Sequence, residues 1–263
     1  MLLEQFRAAK SGEIAQLRAL EKSNNLPAPL PIASRPDFLH ALQHPPYGNL
    51  AVIAEFKQAS PSRGTIIKGL SPENIAQEYA TAGASCISVL TEEKFFGGKL
   101  DFLSRMSTLG IPLLRKDFIF DALQVIATAA TPASALLLIV RLTPNVSILR
   151  NLRQLAESYG IHAVVEIFDE TDLALARSSG ARIIQVNARD LDTLKTDRKI
   201  CLNLATHRLA HETWIAASAM SNPKHLIAAH KAGYNAALIG TALMESGTPG
   251  ASLARLLKNT HHE

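Results

Sequence analysis

Ala51-Val-Ile-Ala-Glu55-Phe-Lys57-Gln-Ala-Ser60-Pro-Ser-Arg-Gly64 decides how this chain is read. Its first six residues form a short apolar run broken only by Glu55, the pattern of a strand covered on both faces. A side-chain period of two sends Ile53, Glu55 and Lys57 to one side. A carboxylate and an ammonium on a buried strand lose their hydration, and only a mutual contact or a polar ligand offsets that loss. The run therefore predicts a strand that delivers charge to the mouth of a site. A solvated pair on an edge strand is the alternative, and the flanking Val52-Ile53-Ala54 argues against it.

The same rhythm recurs along the rest of the chain. Apolar runs at 51–56, 86–90, 111–114, 135–140, 163–167, 183–186, 214–217 and 236–239 read as strands. Between them, 72–82, 122–130, 147–159, 170–178, 223–232 and 251–257 carry helical periodicity. Gly83, Gly160, Gly180 and Gly233 each precede a strand-like run, where helix C-caps belong. Eight strands alternating with helices over about 210 residues predict an α/β protein, a closed (β/α)8 TIM barrel spanning 49–263, with its chemistry at the C-terminal strand ends. A doubly wound open sheet is the runner-up, but no GxGxxG or GxxxxGK[ST] fingerprint follows any strand.

Residues 1–48 differ: a helical opening to about Glu21, a Pro-rich stretch, a short helical piece near Asp37 to Leu42, then Pro45-Pro46. They hold too few apolar residues to close a core, so they predict a helical arm rather than a domain. The chain has 263 residues, 47% of them hydrophobic, and 27 basic against 23 acidic residues. A net charge of +4 without a basic block or aromatic–basic interleaving favours an anionic metabolite over nucleic acid. Cys86 and Cys201, without framework spacing, read as reduced core thiols. The opening helix lacks an apolar leader region and no stretch has transmembrane length, so the expected location is the cytoplasm, without membrane contact. A monomer is compatible with the sequence, which does not fix the oligomeric state.

In a barrel the strand ends converge on one mouth. Strand one brings Glu55, Lys57 and Ser60; strand three Arg115, Lys116, Asp117 and Phe118; strand five Glu166; strand six Asn187 and Arg189; strand seven Ser218; strand eight Gly240 and Thr241. Close ammonium and carboxylate groups shift one another's pKa and share protons with a substrate. The last two strand ends, poor in charge and rich in small residues, suit a phosphate, with Thr248-Pro249-Gly250-Ala251 opening a final helix. Glu92-Glu93-Lys94 reads as a solvated loop before a Gly97-Gly98 hinge. His207 and His211 have i, i+4 spacing but no third ligand, so no metal site is expected.

Four segments, Val52 to Gly64, Leu114-Arg-Lys116-Asp-Phe118, Val165-Glu166-Ile-Phe-Asp169 and Val186-Asn187-Ala-Arg189-Asp-Leu191, resemble the motifs of the indole-3-glycerol phosphate synthases, the ring-closing lyases of tryptophan biosynthesis. The resemblance spans nearly the whole chain, arm included. It implies a phosphosugar–anthranilate substrate, 1-(2-carboxyphenylamino)-1-deoxyribulose 5-phosphate, and a decarboxylating ring closure without metal or organic cofactor. By motif, Lys116 would be the general acid, Lys57 the partner of the anthranilate carboxylate, and Glu166 the acid or base of dehydration. Glu55 and Asn187 would hold substrate hydroxyls and orient the lysines. Ser60, Arg189, Ser218, Gly240 and Thr241 would hold polar groups including the phosphate, while Phe95 and Phe118 would wall the aromatic ring.

The chain departs from the family at strand seven, where Glu-Ser-Gly-Ile is replaced by Ala217-Ser218-Ala219-Met220. A paralogue with another phosphosugar substrate, or a non-catalytic binder of phosphate ligands, is therefore the alternative. A Schiff-base aldolase on the same barrel would also use Lys57 or Lys116.

Overall fold

The computed structural model describes residues 2–61, 64–66, 69–190 and 193–258. Ser62, Arg63 and Leu191 of the quoted motifs lie outside these, as does the C-terminal His261-His262. Eight parallel strands, β1 Ala51–Phe56, β4 Cys86–Leu90, β5 Leu113–Ile119, β6 Ala135–Ile139, β7 His162–Ile167, β8 Ile183–Asn187, β9 Thr213–Ala217 and β10 Ala236–Ile239, close into a barrel. The seam is β1 against β10, with Ala51 opposite Ala236 and Ile53 opposite Leu238. A small antiparallel hairpin, β2 Ala59–Ser60 with β3 Gly64–Thr65, stands above β1.

Helices α1 Leu2–Ala9, α2 Ser11–Lys22 and α3 Phe38–Gln43 precede the barrel. The outer layer is α4 Pro72–Ala82, α5 Glu93–Phe96, α6 Phe102–Met106, α7 Ala122–Ala129, α8 Val146–Ser158, α9 Glu170–Ser178, α10 Lys199–Ala205, α11 Pro223–Lys231, α12 Thr241–Met244 and α13 Pro249–Lys258. Local chemistry sets their ends. Ser71 caps α4 at Asn74 N with Pro72 following, and Gly83 ends it in the left-handed region at φ 94°.

Alternation along each strand makes two cores. Side chains facing outward, such as Val52, Ile87, Leu136, Val165 and Ile184, pack under the helices. Those facing inward, such as Ile53, Cys86, Leu114, Leu137, Val164, Ile183 and Ile215, fill the barrel. Each fully buried aliphatic side chain contributes about 1.5–3 kcal/mol. The arm plugs this inner core at both ends. Phe38 of α3, capped by Asp37, is buried 6.5 Å from the ring of His162, the first residue of β7, so α3 closes the N-terminal end. Phe6 of α1 joins the inner core from the C-terminal end.

The opening helix is two helices, broken at Lys10, whose ammonium is buried against Asp117 at 2.8 Å and also pairs with Glu13. The third strand does not stop at Leu114 but runs through the charged motif to Ile119. Its pairing with β6 jumps from Arg115–Leu136 to Ile119–Leu138, four residues against two, so a bulge lies across Lys116, Asp117 and Phe118. Ladder pairing is surrendered there, and the side chains are re-aimed.

Candidate active site

A cavity of about 300 Å³ opens at the C-terminal ends of the strands, and Glu55, Lys57, Lys116, Glu166, Asn187, Ser218 and Gly240 all line it. Residues separated by up to 185 positions thus share one pocket. Glu55 stands at its centre: Lys57 Nζ lies 2.7 Å from one carboxylate oxygen and Lys116 Nζ 3.6 Å from the other. Burial raises the Glu55 carboxyl, but the two ammonium groups outweigh it and hold the pKa below the usual carboxylate range. Glu55 is a fixed anion between two cations.

Glu166, opposite in the barrel, is shifted the other way. Burial pushes its carboxyl up and the anion of Glu55 adds to this, while Lys116 and the amides of Asn187 and Gln185 only partly oppose it. Two carboxyl groups share one pocket, one held ionised and one driven toward the neutral acid, an arrangement chemically able to pair a fixed charge with a proton carrier. Asn187 is locked by its neighbours: its Oδ1 accepts from Ser218 Oγ at 2.7 Å and from the Arg189 backbone N–H at 3.0 Å. Its amide nitrogen is thereby turned to Glu166, to which it donates.

The remaining expected positions divide. Phe118 lines the cavity, with the Phe6 ring stacked on it at 3.9 Å between centroids. Phe95 does not line the cavity; it meets Phe6 edge-on at 5.1 Å, and Phe96 takes the lining position. Ser60 lines the cavity with a buried Oγ that has no partner, a polar atom free for a ligand. Arg189 lines it with its guanidinium on the carbonyl of Leu194 at 2.9 Å. Gly240 and Thr241 lie where β10 passes into α12. The short helix beside the mouth is α12, whereas the final helix is used elsewhere: Gly250 N–H donates to Glu78 at 3.0 Å, and a Cβ there would strike Glu78 at 2.7 Å. Of Thr248 to Ala251, Pro249 and Gly250 are buried, and Gly250 packs against α4.

Arg115, counted with the strand ends, faces away from the mouth. Its guanidinium reaches Thr128 and the Gln124 carbonyl of α7, Glu13 of α2, Asp117 and Thr91. Glu92 is not solvated; it is buried and accepts the backbone N–H groups of Lys94, Phe95 and Phe96 at the start of α5. At strand seven, Ala217 lines the cavity, and Ser218 and Ala219 hold the left-handed region at φ 67° and 56°. The backbone keeps a shape suited to glycine although the glycine is gone.

Sequence reading missed Phe6, Phe96 and Gln185. For Gln185 a signal existed: it lies two residues before Asn187 in an apolar run, so it shares Asn187's face of a buried strand. Phe6 had none, since only tertiary packing brings the arm over the mouth. No group of three or more metal-ligating side chains occurs among the described residues.

The model of the family described as indole-3-glycerol phosphate synthase matches residues 3–256. Proteins of that name are 39% identical in Carboxydothermus hydrogenoformans (80% of this chain and 80% of that protein) and 37% identical in Mycolicibacterium vanbaalenii (97% and 90%). One from Chloroherpeton thalassium is 40% identical over 86% of this chain and 85% of its own. Among solved structures, a 3-hexulose-6-phosphate synthase superposes with a TM-score of 0.63 at 15% identity, covering 80% of this chain and 99% of its own, a likeness of fold alone. A barrel that gathers two lysines, two differently tuned carboxyl groups and an oriented amide, and that matches these relatives from the arm to the last helix, belongs to the indole-3-glycerol phosphate synthase family.

Proposed function

We propose that this chain closes the ring of 1-(2-carboxyphenylamino)-1-deoxyribulose 5-phosphate, releasing carbon dioxide and then water to give indole-3-glycerol phosphate. The opposed tuning of Glu55 and Glu166 around Lys116 carries this reading. As the aromatic carbon attacks the sugar carbonyl, oxygen becomes hydroxyl and needs a proton; Lys116, 20% exposed and 3.6 Å from Glu55, is placed to give it. Lys57, ion-paired with Glu55, faces the anthranilate carboxylate and balances its charge until carbon dioxide leaves.

Loss of water requires one proton delivered to the departing hydroxyl and one removed from the ring. Glu166, driven toward its neutral form, serves that exchange with Lys57. Glu55 and Asn187 hold the sugar hydroxyls and fix the lysines. Ser60, Arg189, Ser218, Gly240 and Thr241 receive the polar end and phosphate, and Phe118 with Phe6 and Phe96 walls the aromatic ring. No described helix is long and apolar enough to cross a membrane, and we place the activity in the cytoplasm.

The test is indole fluorescence developing on mixing with the carboxyphenylamino deoxyribulose phosphate. Wild type turns over, and Lys116→Ala falls by about 10²–10⁴-fold, the usual worth of a positioned proton donor. Binding without fluorescence from wild type would sink the reading, and a lysine adduct trapped by borohydride would favour a Schiff-base reaction instead.

A further inference from the structure

Gln185 is completely buried in the interior of the barrel, directly opposite Glu166 in the register of the neighbouring strand. Its Nε2 donates to Glu166 Oε2. Its Oε1 is a buried acceptor without a partner. An orphaned buried amide oxygen destabilises the fold, so an apolar side chain would suit the apolar interior around it, with Ile183, Ile215 and Val164, better on stability alone. The amide is retained where its one bond falls on the carboxyl group that moves protons.

We infer that Gln185 is a positioning residue for the ring-closing reaction: its amide anchors one oxygen of Glu166 to the barrel interior and leaves the other for Asn187 and the substrate. The inference rests on the role proposed above for Glu166. A carboxylate in a cavity has several rotamers, and only one directs a free lone pair to the reacting atoms. Two donors from β8, Gln185 from below and Asn187 from the mouth, select that one. The donor also favours the ionised over the neutral carboxyl group, so it opposes the burial that drives Glu166 up. The charged groups facing Glu166 are Lys116 from β5 and Glu55 from β1, the latter tied to Lys57; β6, beside it, offers only Ile139.

The experiment compares kcat, KM and their pH dependence in wild type, Gln185→Met, Gln185→Asn and Glu166→Gln, with thermal midpoints measured alongside. Met keeps the length and loses the donor; Asn keeps the amide and withdraws it by one methylene, so one variant serves if the other does not fold. Expected are a kcat reduced by about 10- to 100-fold, the scale of a misplaced catalytic group, KM within threefold, and one limb of the pH profile moved upward by at least about half a unit. The inference is overturned if Glu166→Gln is crippled while both Gln185 variants keep wild-type kcat and profile. It is equally overturned if kcat, KM and thermal midpoint fall together with the profile unmoved, the mark of a packing role. Glu166→Gln turning over like wild type would remove the role of Glu166 itself, and this inference with it.

Discussion

Gly240 shows how much of the site depends on a missing side chain. A Cβ at that position would stand 2.1 Å from Glu55 Oε1 and 3.0 Å from Lys57 Nζ. The backbone of β10's end therefore passes so close to the ion pair that only hydrogen fits. Gly240→Ala should leave a folded barrel but drive Glu55 off both lysines; kcat/KM is expected to drop by about 10²-fold or more, since misplacements of about 1 Å carry that cost. An unchanged rate would show that the pair tolerates displacement. Glu55, Lys57, Lys116, Glu166 and Asn187 were legible in sequence because charge or amide in an apolar run has no cheap structural excuse. Phe95 and Phe96 were not separable, because neighbours on a four-residue helix differ in direction by about 100°, and the fold alone decides which one meets the cavity.

At the scale of elements, the bulge in β5 and the arm form one device. The bulge releases Lys116 toward Glu55, while Arg115 and Asp117 turn to the arm, where Lys10 and Glu13 complete a buried network of alternating charge that includes Thr91. Every ion in it has at least one opposite partner, the condition for burial to be bearable. Lys10, at the break between α1 and α2, is the arm's buried cation, and Phe6 one turn before it stacks on Phe118. Lys10→Met should lower unfolding free energy by about 3 kcal/mol, the low end for a broken buried pair, because Asp117 keeps Arg115 and Thr91. Urea unfolding measures this; a loss under about 1 kcal/mol would mean that the arm docks through its apolar contacts alone. Reading the third strand as ending at Leu114 failed for a physical reason: four charged or bulky residues look like a strand end, and a bulge that keeps them in the strand while breaking the ladder leaves no mark in periodicity.

For the whole molecule, alternation of eight apolar runs with helices was enough to read the barrel, since closure is the simplest way to leave no strand edge exposed. What that closed interior does to charge is a matter of pH, and two of its carboxyl groups act with opposite sign. Burial raises Asp117, but Arg115, Lys10 and the Thr91 hydroxyl bring its pKa down to about 2 against an ordinary 3.8. Its contribution, about 2 kcal/mol, is present above about pH 4 and disappears as pH falls through the folded value. Glu166 is raised instead, so it stabilises the fold only while neutral; the charged form costs stability as pH climbs past the ordinary 4.5 and through the raised folded value. Thermal unfolding across pH separates the two. Asp117→Asn should be less stable than wild type at pH 7 and converge with it near pH 2. Glu166→Gln should match wild type near pH 4 and exceed it at pH 7, because the variant no longer carries a buried carboxyl group that must ionise. If Glu166→Gln is instead the less stable protein at pH 7, then Lys116, Asn187 and Gln185 more than compensate the buried charge, and Glu166 would work as a permanent anion like Glu55.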